Sequence, residues 1–191
     1  YKFEIDNFCN GELSQLRNLD NLKGKEVAFA GVVSQCEHKV AKNGKPYGVL
    51  YLEDYHDNNR FFIFSDDYIK FKSFFTEGWL LHIKGKVQNR PYHDEQLEFR
   101  IQDIQLLSEL LDKEPRSVVL AVELNDINDD FVNRISNSTN KNGGKHSLII
   151  QVNNQEKKYA VELLSRKRKI NIDKTFIQEI EKITEVGLKI K

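Results

Sequence analysis

Two lysines, Lys42 and Lys45, flank Gly44 in a short polar stretch, with Tyr47, Tyr51 and Arg60 following within twenty residues. A second cluster, Arg90, Tyr92 and His93, lies further along around Pro91. Flat rings beside fixed cations suit single-stranded nucleic acid: bases stack on aromatic faces for roughly 1–3 kcal/mol each, whatever the base, while cations hold phosphates. The plainer reading of the same residues gives the tyrosines to β-propensity and the lysines to solubility. Arg166, Lys167, Arg168 and Lys169 form the densest charge run and a secondary candidate patch. A basic turn between a strand and a helix is, however, usually only solvated.

Other chemistries are not supported. Gly143-Gly144-Lys145 lacks the spacing and the following Ser or Thr of a phosphate loop, and reads as a flexible connection. The five histidines (His38, His56, His82, His93 and His146) include no pair at ligand spacing. The adjacent acids Glu53-Asp54, Asp66-Asp67 and Asp129-Asp130 fit strand ends and helix caps, and neighbours on a strand point to opposite faces. No catalytic residues, metal ligands or cofactors are expected.

The elements that must position these residues belong to a globular chain. Its 191 residues are 39% hydrophobic and 30% charged, with 10% aromatic residues, too apolar for disorder and long enough for two small domains. The 29 basic and 29 acidic residues cancel, so any polyanion affinity must be local. Cys9 and Cys36 belong to no C-x-x-C pair, which fits a reducing, cytoplasmic setting. Neither a signal peptide nor a membrane-spanning run is visible. The sequence starts at Tyr1 and contains no methionine, so a piece of a longer chain is expected.

Residues 1–22 show no sustained period and read as an entering linker with one helical turn near Ser14–Leu19. From Gly24 onward strands dominate: a long one with Gly31 inside it, a turn at residues 42–46, a strand over residues 47–54 and another over residues 60–64. A helix capped by Asp66 should follow and end at Gly78, then strands over residues 79–87 and from Leu97 onward. Five strands with a helix between the third and fourth predict an OB-type barrel over residues 23–112. In such barrels, strands two and three and the flanking loops bind oligonucleotides. A polar joint at residues 112–115 precedes a small α/β domain over residues 116–191 in the order βαββαβ, its helices on one sheet face. The fold class is therefore mainly β plus α+β.

A resemblance sharpens this. Residues 22–27, Ala30-Gly31-Val32-Val33, Lys45-Pro46-Tyr47-Gly48, Leu52-Glu53-Asp54-Tyr55 and Gly85-Lys86-Val87-Gln88 resemble the OB region of the bacterial DNA polymerase III alpha subunit. Leu97-Glu98-Phe99 continues the match. The run from Val161 to Lys167 resembles the far C-terminal domain of the same polypeptide, and the first five residues resemble the segment entering the OB region. The resemblance implies a non-catalytic fragment of a nucleotidyltransferase whose palm lies elsewhere. Its OB domain would contact single-stranded template DNA, and its C-terminal domain would dock the clamp-loader tau subunit. Residues 15–19 match the family's clamp-binding peptide poorly, so no clamp site is assigned. The rivals are a protein-interaction module without DNA binding and an OB-type RNA or tRNA binder.

Overall fold

The computed structural model describes residues 1–91, 93–113, 117–140 and 143–191, with residues 93–95 described by backbone alone. The chain divides into two compact units, Tyr1–Leu110 and Leu111–Lys191.

In the first unit, helix α1 (Lys2–Phe8) and two 3-10 turns precede strands β1 (Glu26–Val40), β2 (Pro46–Glu53) and β3 (Asn58–Phe64). Helix α2 (Ser65–Phe71) then leads to β4 (Leu80–Arg90) and β5 (His93–Leu106). Every pairing is antiparallel, in the order β3-β2-β1-β4-β5. β1 is long because it serves two partners, β4 from Glu26 to Val32 and β2 from Val32 to Val40. Gly31 sits at the changeover, where a Cβ would stand only 3.1 Å from the Glu53 carbonyl oxygen.

This is the OB arrangement, but the sheet does not close by hydrogen bonds: β3 and β5 are its two edges. Side chains span the gap instead. Phe29 of β1, Phe61 of β3 and Phe99 of β5 form a ring cluster with centroids 5.4–6.1 Å apart. Helix α2 fastens to β5, where the Lys70 ammonium donates to the Gln102 carbonyl at 3.0 Å. Gly48 lets the base of the barrel close, since a Cβ there would lie 2.3 Å from the Phe75 ring. Asp66, expected as the cap of α2, lies inside its first turn beside Asp67, where two carboxylates favour the positive helix end.

The first 22 residues are not a linker. Leu13 and Leu16 are buried in the barrel core, and the Leu13 N–H donates to the Asp54 carboxylate at 2.9 Å. Asp54 also accepts from the backbone of His56 and Asp57, so this acid is fully engaged in holding a turn. The Arg17 guanidinium grips Asp57 through two bonds of 2.5 Å. These contacts reach some forty residues along the chain, which is why no local period announced them.

In the second unit a one-turn helix α3 (Leu110–Lys113) precedes β6 (Val118–Glu123), α4 (Asp129–Asn140), β7 (Gly143–Asn154), β8 (Tyr159–Ile170), α5 (Lys174–Glu181) and β9 (Val186–Ile190). The sheet order is β8-β7-β6-β9, with β6 and β7 parallel and joined through α4. Central β6 buries Val118, Val119, Leu120 and Val122, as a strand covered on both faces should. Asn128 caps α4 by accepting from the Phe131 N–H, and Asp173 caps α5 by accepting from the Phe176 N–H, both at 2.8 Å.

Three details differ from the sequence reading. Helix α4 continues to Asn140, across most of the expected loop. Its Ser, Asn and Thr residues are weak helix formers, but Thr139 is buried and its hydroxyl donates to the Ile135 carbonyl. Gly144 belongs to β7, and a Cβ there would meet the Ile170 backbone at 2.2 Å, so close strand crossing selects glycine there. The run Arg166–Lys169 lies within β8 and is no turn.

Phe29→Ala should cost about 3–5 kcal/mol in urea unfolding, since it empties the cluster that bridges the sheet edges; a loss under about 1 kcal/mol would contradict that role. Arg17, and next the Asn58 N–H, hold the Asp57 carboxyl below the usual carboxylate range. The charged form is thus favoured by folding. Its contribution is present above the ordinary carboxylate pKa and is lost as pH falls through the lowered folded value. The urea midpoint should therefore fall more between pH 7 and pH 3 for the wild type than for Arg17→Ala.

Candidate nucleic-acid interface

Pairing across β1, β2 and β3 sets three rows on the outer face: Lys39–Tyr47–Phe64, Glu37–Val49–Phe62 and Gln35–Tyr51–Arg60. Residues directly opposite one another share a face, so these nine side chains make one surface. Tyr47 stacks on Phe64 at 5.3 Å, Phe62 lies parallel to Phe64 at 6.4 Å, and the Arg60 guanidinium sits 5.4 Å over the Phe62 ring. Phe62 and Phe64 are 49% and 55% exposed, whereas Val49 at the centre of the rows is buried. Half-exposed rings laid side by side with a cation above one of them form a surface on which planar molecules can stack.

A carboxylate is built into this face. Tyr51 donates to Glu37 at 2.9 Å, and the Lys39 ammonium pairs with the other Glu37 oxygen. The Lys39 bond, and then the Tyr51 hydroxyl, keep the Glu37 carboxyl below its usual range; the same bond raises Lys39. Lys42 and Lys45 are exposed on the β1–β2 turn, which Gly44 allows with φ of 78°. In that turn the Ala41 N–H donates to the Lys45 carbonyl at 2.9 Å. Tyr47 begins its pairing two residues on, so the lysines stand at the Tyr47–Phe64 end of the platform.

The structure thus gathers Lys42, Lys45, Tyr47, Tyr51 and Arg60. It does not gather Arg90 with them by register. Arg90 ends β4 opposite the His93 backbone, and β4 pairs with the half of β1 remote from the Val40 turn. Tyr92 and the His93 side chain lie outside the described residues. Phe62, Phe64, Lys39 and Glu37 were missed, although the signal was present. In Phe61-Phe62-Ile63-Phe64 a period of two must put one apolar pair inward and the other outward.

In the second unit Arg166, Lys167 and Lys169 are exposed on β8. Arg168 donates to Ser136 and Thr139 of α4 at 3.3 and 3.4 Å. Among the described residues no carboxylate pairs with any of the four.

Residues 27–107 match the family described as OB-fold nucleic acid binding domain, and residues 118–191 match the family described as DNA polymerase III alpha subunit, C-terminal domain. The second unit is the C-terminal domain of a DNA polymerase III alpha subunit. The chain thus joins an OB domain to a polymerase alpha-subunit tail, in that order. Among curated proteins none matches the chain. Among solved structures it is similar to asparaginyl-tRNA synthetase from Pyrococcus horikoshii, at 17% identity and a TM-score of 0.31, over 45% of this chain and 20% of that one. It is also similar to the mitochondrial single-stranded DNA binding protein Rim1 from S. cerevisiae, at 17% identity and a TM-score of 0.30, over 44% of this chain and 95% of that one. This chain therefore spans about a fifth of the synthetase. No helix among the described residues is long and apolar enough to cross a membrane.

If the rings of the OB domain serve a ligand and not the fold, removing them should spare stability. Phe62→Ala with Phe64→Ala should move the unfolding free energy by no more than about 1 kcal/mol. Val49→Ala, beneath the same surface, should cost about 2 kcal/mol. The reverse order in urea melts would make the rings structural.

Proposed function

We propose that this chain is a non-catalytic part of a replicative DNA polymerase alpha subunit that acts in the cytoplasm. Its OB domain would hold single-stranded template DNA, and its C-terminal domain would dock the clamp-loader tau subunit. The observation that carries the DNA reading is the exposed stack of Tyr47, Phe62 and Phe64, with Arg60 above it and the Lys42–Lys45 turn at its end. Rings supply base stacking without sequence preference, and the turn lysines supply phosphate contacts. The family matches support the pairing of a nucleic-acid domain with a polymerase tail. Nucleotidyl transfer would be the work of another part of the polymerase. The docking role follows from the resemblance of the tail.

The platform mixes charges, so binding should be moderate and salt-sensitive. In fluorescence anisotropy with labelled oligo-dT, Phe64→Ala should weaken binding about tenfold. Lys42→Glu with Lys45→Glu should weaken it and lower the magnitude of the log K against log salt slope by about 1.4, two single-strand phosphate contacts. Glu37→Gln removes an anion from the face and should tighten binding. Unchanged anisotropy across these variants would favour a protein-interaction module, and a marked preference for oligo-U over oligo-dT would favour an RNA binder.

A further inference from the structure

We infer that the C-terminal domain docks its partner in the cleft between α4 and the β7–β8 side of its sheet, and that the docking segment is a short stretch of another protein chain, apolar along one side and acidic at one end. This rests on the docking role proposed for that domain and assigns it a place and a chemistry. The cleft holds about 550 Å³. Its floor is Leu148, Ile150 and Leu163, and its wall is Val132 and Ile135 of α4. The layer above the sheet is incomplete at this edge: Val132 is 52% exposed, Leu163 54% and Val161 44%. Leu163 lies opposite Ile150, and Val161 opposite Val152, so the apolar surface continues from the cleft across β8 to the open edge of the sheet. A contiguous apolar surface of this kind marks an interaction site.

Charge selects the occupant. Arg166, Lys167 and Arg168 line the same cleft beside Ser136, Ser165 and Thr139, and no carboxylate among the described residues neutralises them. An acidic group arriving there gains charge-assisted bonds from the guanidinium groups and further bonds from the hydroxyls. A second copy of this chain would bring the same cations against themselves. A nucleic-acid strand would satisfy the cations but lay its backbone over an apolar floor. An apolar segment with an acidic end satisfies both parts of the surface.

The test is titration of the intact chain with purified tau subunit by isothermal calorimetry. Wild type should bind. Val132→Asp with Leu163→Asp, and separately Arg166→Glu with Lys167→Glu, should each weaken binding at least tenfold. Gln178→Lys on α5, away from the cleft, should bind as wild type does. All these side chains are exposed, so wild-type thermal midpoints are expected, and circular dichroism checks them. Failure of wild type to bind tau would overturn the docking role and this inference with it. Full-strength binding by both double variants would overturn the cleft alone and leave the docking role standing. Sedimentation showing a wild-type dimer that Val132→Asp with Leu163→Asp dissolves would assign the surface to self-association and overturn the inference. So would oligo-dT binding that only Arg166→Glu with Lys167→Glu abolishes.

Discussion

The contact between Phe29, Phe61 and Phe99 is what the first unit depends on. A five-stranded sheet that stops short of closing leaves two edges, and three rings from β1, β3 and β5 fill the space between them. Large aromatic side chains suit this place because each buries much area and packs at an angle to its neighbours. The inner cluster also determines the outer face. Once Phe61 and Ile63 point inward, strand geometry sends Phe62 and Phe64 out beside Tyr47.

Net charge misleads about such a chain. Equal numbers of acids and bases give no long-range field, yet the two units distribute their charge very differently. On the OB face, Lys39 is already satisfied by Glu37, so the cations left for a phosphate are those of the turn and Arg60. On β8, four consecutive cations stand without acidic neighbours among the described residues. The first surface offers rings with a few charges, and the second offers charge beside an apolar trough.

Much of this was legible in the sequence because it is local. Strand order, the two domain types and the common face of Tyr47, Tyr51 and Arg60 all follow from a period of two and from turn residues such as Gly44. What escaped was set by distant partners. Leu13 and Leu16 look unremarkable until β1 and the Asp54 turn close around them. Helix α4 runs on through poor helix formers because Thr139 is buried and Arg168 reaches it from β8. Gly144 reads as a loop residue, yet what selects it is a backbone lying 2.2 Å from its missing Cβ.

The double partnership of β1 has a bearing on how the barrel assembles. Its pairing with β2 turns back within a few residues, from Val40 to Pro46, whereas its pairing with β4 must wait for Leu80 to Lys86 to arrive from far along the chain. Bringing distant segments together takes more chain entropy than a tight hairpin and is correspondingly slow. The three strands that carry the exposed rings can therefore zip up ahead of the rest, and the surface that meets a ligand takes shape before the barrel behind it is complete.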